Sequence, residues 1–206
     1  LGIIGKNNLE KLNFVRYILD LLQENQENAP VELYISDNVN KMMLGYKDKP
    51  CIVQYSYVPS DAVEMVNAIY QKLELRYQMM LEGKDKEVQQ QPLEILVLNA
   101  KETYAFISTD KNAIEKFRKI VTQFKALKVC VLLTDLENAP ISFASCEMLK
   151  MIKEEKILFI FENLNEQKVI DVTPVVLREH KKKRNESEAY MREGSSLIKV
   201  KTPSVQ

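Results

Sequence analysis

Gly5, Glu10, Lys11 and Leu12 stand at positions where other sequences handle phosphate. They lie between a short apolar run (Leu1, Ile3, Ile4) and a stretch in which Phe14, Val15, Ile18, Leu19, Leu21 and Leu22 recur at helical spacing. The order strand, G-x-x-x-x-G-K-[ST], helix is that of a phosphate-binding loop. Laid over this pattern, Gly5 takes the first glycine, Glu10 the second, Lys11 the lysine and Leu12 the hydroxyl residue. The second glycine lets backbone N–H groups close on phosphate oxygens, and a carboxylate there repels them. The hydroxyl is a Mg²⁺ ligand, which leucine cannot be. Lys11 keeps a point charge for phosphate, although a lysine in the first turn of a helix is common without any such role.

ATP hydrolysis also needs a carboxylate at the tip of a central apolar strand, to hold Mg²⁺ and position water. The strand LEILVL (Leu93–Leu98) is followed by Asn99 and Ala100. Asn99 keeps an oxygen without the charge, and Ala100 offers no base. Glu102 reads as a solvated glutamate at a helix start. A third strand tip carries Thr134 and Asp135. The candidate nucleotide positions are therefore Gly5, Glu10, Lys11, Leu12, Asn99 and Thr134. With both hydrolytic elements altered, no catalytic residue, metal ligand or cofactor is expected, and ATP with Mg²⁺ is at most a weak ligand.

The elements that must position these residues alternate along the chain. Val31–Ser36 and Cys51–Tyr57 read as strands, separated by a loop over Asp37–Pro50. Pro59, Ser60 and Asp61 start a long helix that keeps its period to Gly83. Lys84–Gln91 reads as a charged loop. After LEILVL, helical period resumes from Asn112 to Leu127, then VCVLL (Val129–Leu133) reads as a strand buried on both faces. Cys146–Lys153 reads as a short helix, Ile157–Phe161 as a strand, and Val175–Arg184 as a helix ending in the basic run HKKKR. Ala189–Arg192 and Leu197–Lys201 form a hairpin about Gly194. Alternating strands and helices predict an α/β domain with a mainly parallel central sheet covered on both faces. In such sheets ligands dock beyond the carboxyl ends of the strands.

Whole-chain properties bound the function. The 206 residues fit one domain, and 46% hydrophobic with 28% charged residues is ordinary for a globular protein. The formal net charge of zero argues against a basic nucleic-acid platform. Cys51, Cys130 and Cys146 have no C-x-x-C spacing, and two adjoin apolar runs, which predicts buried thiols in a reducing compartment. The single histidine, His180, leaves little scope for a histidine-based metal site or triad. No apolar stretch approaches the roughly 20 residues that cross a bilayer. The chain opens inside its first strand, which predicts a fragment whose membrane anchor lies elsewhere. Met42, Met43, Met79, Met80, Tyr55, Tyr57, Tyr70 and Tyr77 are expected mostly in the core.

The ordered set of motifs resembles the FtsK/SpoIIIE family of RecA-like motor ATPases. It comprises the turn Gly5–Leu12, VELYIS, CIVQYSYVPSDAVEMV leading to RYQMMLEG, then PLEILVLNA, KVCVLLTD and AYMREGSSLIKVKT. The likeness covers nearly the full chain. More narrowly, the chain is similar to the last ATPase-like module of the membrane-bound coupling ATPase of the type VII (ESX/WXG100) secretion system of Firmicutes. That resemblance implies a RecA-like fold and one degenerate FtsK/SpoIIIE-like domain over 1–206. It implies neighbouring ATPase modules in the same chain, a possible hexamer, and WXG100-type secretion substrates as partners. It also implies a place at the cytoplasmic face of the cell membrane. Glu10, Leu12, Asn99 and Ala100 depart from the family's working pattern. The resulting expectation is a non-catalytic module that recruits substrate or regulates export. The alternatives are an ATPase active only in a hexamer and a DNA translocase; HKKKR is the latter's sole support.

Overall fold

The computed structural model describes residues 1–6, 8–136, 146–155, 157–180, 183–194 and 196–203. The elements in chain order are β1 (Gly2–Ile4), α1 (Asn8–Glu24), β2 (Val31–Ser36), β3 (Ile52–Ser56), α2 (Asp61–Leu81) and α3 (Asp85–Gln90). Then come β4 (Leu93–Leu98), α4 (Lys101–Thr109), α5 (Lys111–Thr122), β5 (Val129–Leu136) and α6 (Glu147–Glu155). The chain closes with β6 (Leu158–Ile160), α7 (Pro174–Glu179), β7 (Glu188–Glu193) and β8 (Ser196–Lys201). Two compact units divide it: Leu1–Ile18 with Leu133–Gln206, and Leu19–Leu132. Strands neighbour one another in the order β3-β2-β4-β5 in the central unit and β5-β1-β6-β7-β8 in the other, with β5 contributing to each. Pairing is parallel for β2 with β3 and β4, and for β1 with β5 and β6. The β6–β7 and β7–β8 pairs are antiparallel. The fold is thus mixed α/β with a mainly parallel sheet and a closing hairpin, as the sequence predicts.

In the central unit, α2 turns Ala62, Met65, Val66, Ile69, Tyr70, Leu73 and Arg76 inward at three- and four-residue intervals. Arg76 belongs in that apolar stripe because a carboxylate waits for it. The parallel register places Glu32 beside Glu94, and Glu94 is fully buried. Arg76 Nη2 lies 2.5 Å from Glu94 Oε1, while its Nη1 donates to the carbonyls of Leu127 (3.1 Å) and Lys128 (3.3 Å). Lys72 bridges the two like charges, pairing with Glu32 and reaching Glu94 Oε2 at 3.4 Å. Burial pushes the Glu94 carboxyl up, and the charges of Lys72 and Arg76 oppose it.

Several elements differ from the sequence reading. Lys84–Gln91 is not a loop: Asp85–Gln90 forms α3, pinned by fully buried Val88, with Asp85 and Glu87 favourably placed in its first turn. The sequence reading marked a helix start at Glu102 but gave α4 no extent, because its three-residue inward set (Thr103, Tyr104, Ile107) is too small to announce a helix by periodicity. Helix α5 is capped by Asp110, whose side chain accepts from the N–H groups of Asn112 (2.9 Å) and Ala113 (2.8 Å). It ends at Thr122 rather than Leu127; Phe124 and Leu127 remain buried beyond it, so their spacing mimics a continued helix. Strand β5 runs on to Leu136. Helix α7 stops at Glu179, leaving His180 and Arg184 outside it, and Lys181 and Lys182 lie outside the described residues. Of the eight methionines and tyrosines expected in the core, only Met43 and Tyr70 are buried, while Tyr57 and Tyr77 are exposed. Cys51 is buried, whereas Cys130 and Cys146 are half-buried, and all are free thiols. Among the described residues no helix is long and apolar enough to cross a membrane.

Removing Arg76 strands a buried carboxylate. Arg76→Ala is expected to lower the unfolding free energy by about 3–5 kcal/mol in urea titration, whereas Arg118→Ala, which breaks an exposed pair with Glu115, should change it by less than about 1 kcal/mol.

Candidate functional site

Within the unit that holds both termini, Ile3 and Ile4 of β1 are buried and the chain turns at Gly5. A Cβ on Gly5 would fall 2.9 Å from Phe161 Cβ. The close approach arises because Phe161 N donates to Ile4 O at 2.8 Å, drawing the end of β6 against the turn. Steric demand from β6 therefore accounts for this glycine without a ligand. Phe14 on α1 packs over the same end, its ring centroid 4.8 Å from Phe159 and 5.5 Å from Phe161.

Glu10, Lys11 and Leu12 follow on the first turns of α1, and all are buried: 4%, 3% and 6% exposed. Leu12 is part of the core. A carboxylate so buried needs a partner, and Arg184 Nη2 donates to Glu10 Oε2 at 2.8 Å, the two side chains being 12% and 3% exposed. The other arm of Arg184 donates to the carbonyls of Asn185 (2.9 Å) and Glu188 (2.7 Å), and its backbone N–H donates to Asn163 Oδ1 (2.9 Å). Its guanidinium lies 5.9 Å from the Phe161 ring centroid. The last residue of the basic run is thus committed to the second-glycine position of the phosphate-loop pattern. Thr134, also buried, lies in β5, the neighbour of β1. Gly5, Glu10, Lys11, Leu12 and Thr134 accordingly fall in one unit and Asn99 in the other.

Asn99 has its own constellation. Because Ser36 pairs with Leu98, the residues that follow these strand ends, Asp37 and Asn99, emerge side by side. Asn99 Nδ2 donates to Asp37 Oδ1 at 2.9 Å. Fully buried Asp37 also accepts from Asn38 N (2.8 Å), Met43 N (2.7 Å) and the Tyr55 hydroxyl (2.8 Å). Burial, then the hydrogen bond and charge of Asp37, raise the Tyr55 phenol pKa well above its ordinary value, so it remains a donor. Nearby, the Ser36 and Thr103 hydroxyls share a buried hydrogen bond at 3.2 Å. An amide at position 99 is what this cluster requires, since a carboxylate there would face Asp37. The sequence reading treated Asp37 as a loop residue and missed it; its place directly after an apolar strand was the available signal.

No protein-family model matches the sequence, and no curated protein matches it. Solved structures do. The cytoplasmic domain of EssC matches with a TM-score of 0.76 at 15% identity, over 100% of this chain and 39% of that one. EssC ATPases 2 and 3 from Geobacillus thermodenitrificans match at 0.72 and 18%, over 100% and 37%. EccC ATPases 2 and 3 from Thermomonospora curvata, solved with a signal sequence peptide, match at 0.69 and 14%, over 100% and 36%. The chain has the EssC and EccC ATPase fold. The family resemblance read from the sequence has its structural counterpart in these matches, and the chain spans about two-fifths or less of the length of each.

Two expectations follow from the buried carboxylates. Arg184→Ala should destabilise the protein by about 3 kcal/mol in urea titration, and adding Glu10→Gln should restore part of the loss because the stranded charge is gone. Asn99→Asp should cost about 1–3 kcal/mol at pH 7 by removing a donor and opposing two carboxylates. Urea titrations of the two proteins at pH 7 check it.

Proposed function

We propose that this chain is a non-catalytic, ATPase-like module of a type VII secretion motor, acting in recruitment of export substrates and in regulation of export. The observation that carries the reading is the buried Glu10–Arg184 ion pair. A carboxylate in the first turn of α1 draws on the same helix-dipole field that a phosphate group would use. Leu12 in the core offers no Mg²⁺ ligand, and the Asn99 amide is held by Asp37. The module so read binds no cofactor and works through protein partners: sibling ATPase modules, a hexamer of the full protein, and small WXG100-type substrates. It acts at the cytoplasmic face of the membrane. The EccC structure with a signal sequence peptide supports the recruitment role by analogy of fold.

Titration calorimetry with ATP and Mg²⁺ tests the non-catalytic half. No heat is expected up to millimolar nucleotide; a micromolar dissociation constant, roughly −8 kcal/mol, overturns it. The recruitment half is tested by titrating a purified WXG100-type substrate, for which saturable binding is expected and absence of binding is fatal.

A further inference from the structure

Strand β3 ends the row of strands in the central unit: it pairs with β2 and, among the described residues, with no other strand. The Leu33 N–H donates to the Cys51 carbonyl at 2.8 Å, and the Asp37 N–H to the Ser56 carbonyl at 2.7 Å. Successive residues of a strand turn their backbone groups to opposite edges. With Ser56 turned to β2, Tyr55 presents its N–H and C=O on the open edge. Leu33 pairs with Ile52 and Tyr34 with Gln54, so Val53 is an extra, bulged residue, and Gln54–Ser56 run on in regular pairing. Side chains beside this edge are open as well: Val53 is 51% exposed, and Tyr57 and Val58, just past the strand, are each 44% exposed.

No charged side chain interrupts Cys51–Val58. Strand edges are commonly guarded by lysines within the strand, and β8, which ends the row in the other unit, carries Lys199 and Lys201. The cations of β3 flank it instead. Lys47 and Lys49 are exposed just before the strand, where the Lys49 carbonyl accepts from the Ile52 N–H at 3.0 Å. Lys41 is exposed at the other end: its backbone lies in the left-handed region at φ +53°, and its Nζ stands 4.1 Å from the Tyr57 ring centroid. Against these three lysines the loop over 38–50 sets one acid, Asp48. The result is an uncharged hydrogen-bonding edge bracketed by cations.

We propose that β3 takes up an extended peptide segment by strand addition, the segment's acidic flanks meeting Lys47 and Lys49 at one end and Lys41 at the other. The Tyr55 backbone calls for an extended partner, since an N–H and a C=O side by side on a strand edge are matched by a single residue of an antiparallel neighbour. The bracketing lysines call for acids outside an uncharged centre, and such complementarity fixes register and encounter rate. A second copy of this chain fits less well. An antiparallel seam centred on Tyr55 would set Lys49 of each copy towards the Lys41–Tyr57 end of the other, cation against cation. A lipid surface fits worse, because hydrocarbon leaves the backbone groups of an open edge unsatisfied. The inference goes beyond the recruitment reading and does not depend on it.

The test uses fluorescence anisotropy with the intact chain and a fluorescein-labelled peptide, Asp-Glu-Val-Thr-Val-Thr-Val-Glu-Asp. One counterpart is N-methylated at its three central residues, which keeps the side chains and removes the edge donors. Saturable binding of the parent peptide is expected, with none by the methylated one. The double variant Lys47→Glu, Lys49→Glu should weaken binding about tenfold or more. Both positions are exposed, so folding should be retained, and circular dichroism verifies it. Amide hydrogen exchange followed by NMR locates the peptide: the Tyr55 N–H should exchange about tenfold or more slowly in its presence, while the amides of β8 stay unchanged. Four results overturn the proposal: no binding of the parent peptide, equal binding of the methylated one, indifference to the double variant, or protection on β8 rather than at Tyr55. Tyr55 protection that rises with protein concentration in the absence of peptide, with a dimer in sedimentation velocity, also overturns it and assigns the edge to a second copy.

Discussion

A carboxylate buried at the first turn of α1 has to be matched by a cation, and meeting that demand shapes the unit that holds both termini. Glu10 is almost fully buried, and Arg184 reaches it from the segment before β7. To do so, Arg184 is fixed at its backbone by Asn163, just past β6, and at its second arm by carbonyls leading into β7. One pair therefore ties the β1–α1 turn to the end of β6 and the start of β7. Its carboxylate lies in the first turn of α1, where the helix dipole favours negative charge. A buried pair is weak grounds for added stability, because desolvation offsets the attraction. Its importance lies in what breaking it would strand.

The central unit meets the same demand in two ways. At the beginning of β4, Glu94 is balanced by Arg76 and Lys72, cations that α2 delivers from its inward face. At the end of β2, Asp37 is balanced only by neutral donors: backbone N–H groups of Asn38 and Met43, the Tyr55 hydroxyl and the Asn99 amide. Geometry explains the difference. Strand starts beneath α2 are within reach of long side chains from a helix flank. Strand ends feed loops, whose backbone N–H groups can turn back on the carboxylate. Once Asp37 is solvated in this way, an uncharged residue at the tip of β4 follows, and a second carboxylate there would undo the arrangement.

These demands mark where the sequence was legible. Apolar runs such as Leu93–Leu98 and Val129–Leu133 read directly as buried parallel strands, and the hairpin about Gly194 followed from its turn, where φ is +58°. Short helices did not: α3 hangs on one buried valine, and α4 buries too few residues to display a period. The departures at Glu10, Leu12 and Asn99 were visible as residue types. Their partners were not, because pairing is a tertiary fact. Arg184 lies 174 positions from Glu10 and sits inside HKKKR, a run whose composition suggests a solvated helix end. Asp37 looked like an ordinary loop aspartate until strand register set it beside Asn99, 62 positions away.

The matched structures share 14–18% identity with this chain yet retain its architecture. That combination is physically coherent. A parallel core asks only for apolar strands and covering helices, demands that many sequences satisfy, whereas a phosphate site asks for particular residues at particular strand ends. Fold can persist while the strand ends are rewritten. Here Glu10 is paired with Arg184, and Asn99 donates to Asp37. Glu10 alone would leave a buried, repelling charge at the start of α1, and Arg184 alone would leave a cation suited to an anion. Together they are neutral, so neither can be judged by its own chemistry. The pair, rather than either residue taken singly, sets the charge at this helix start.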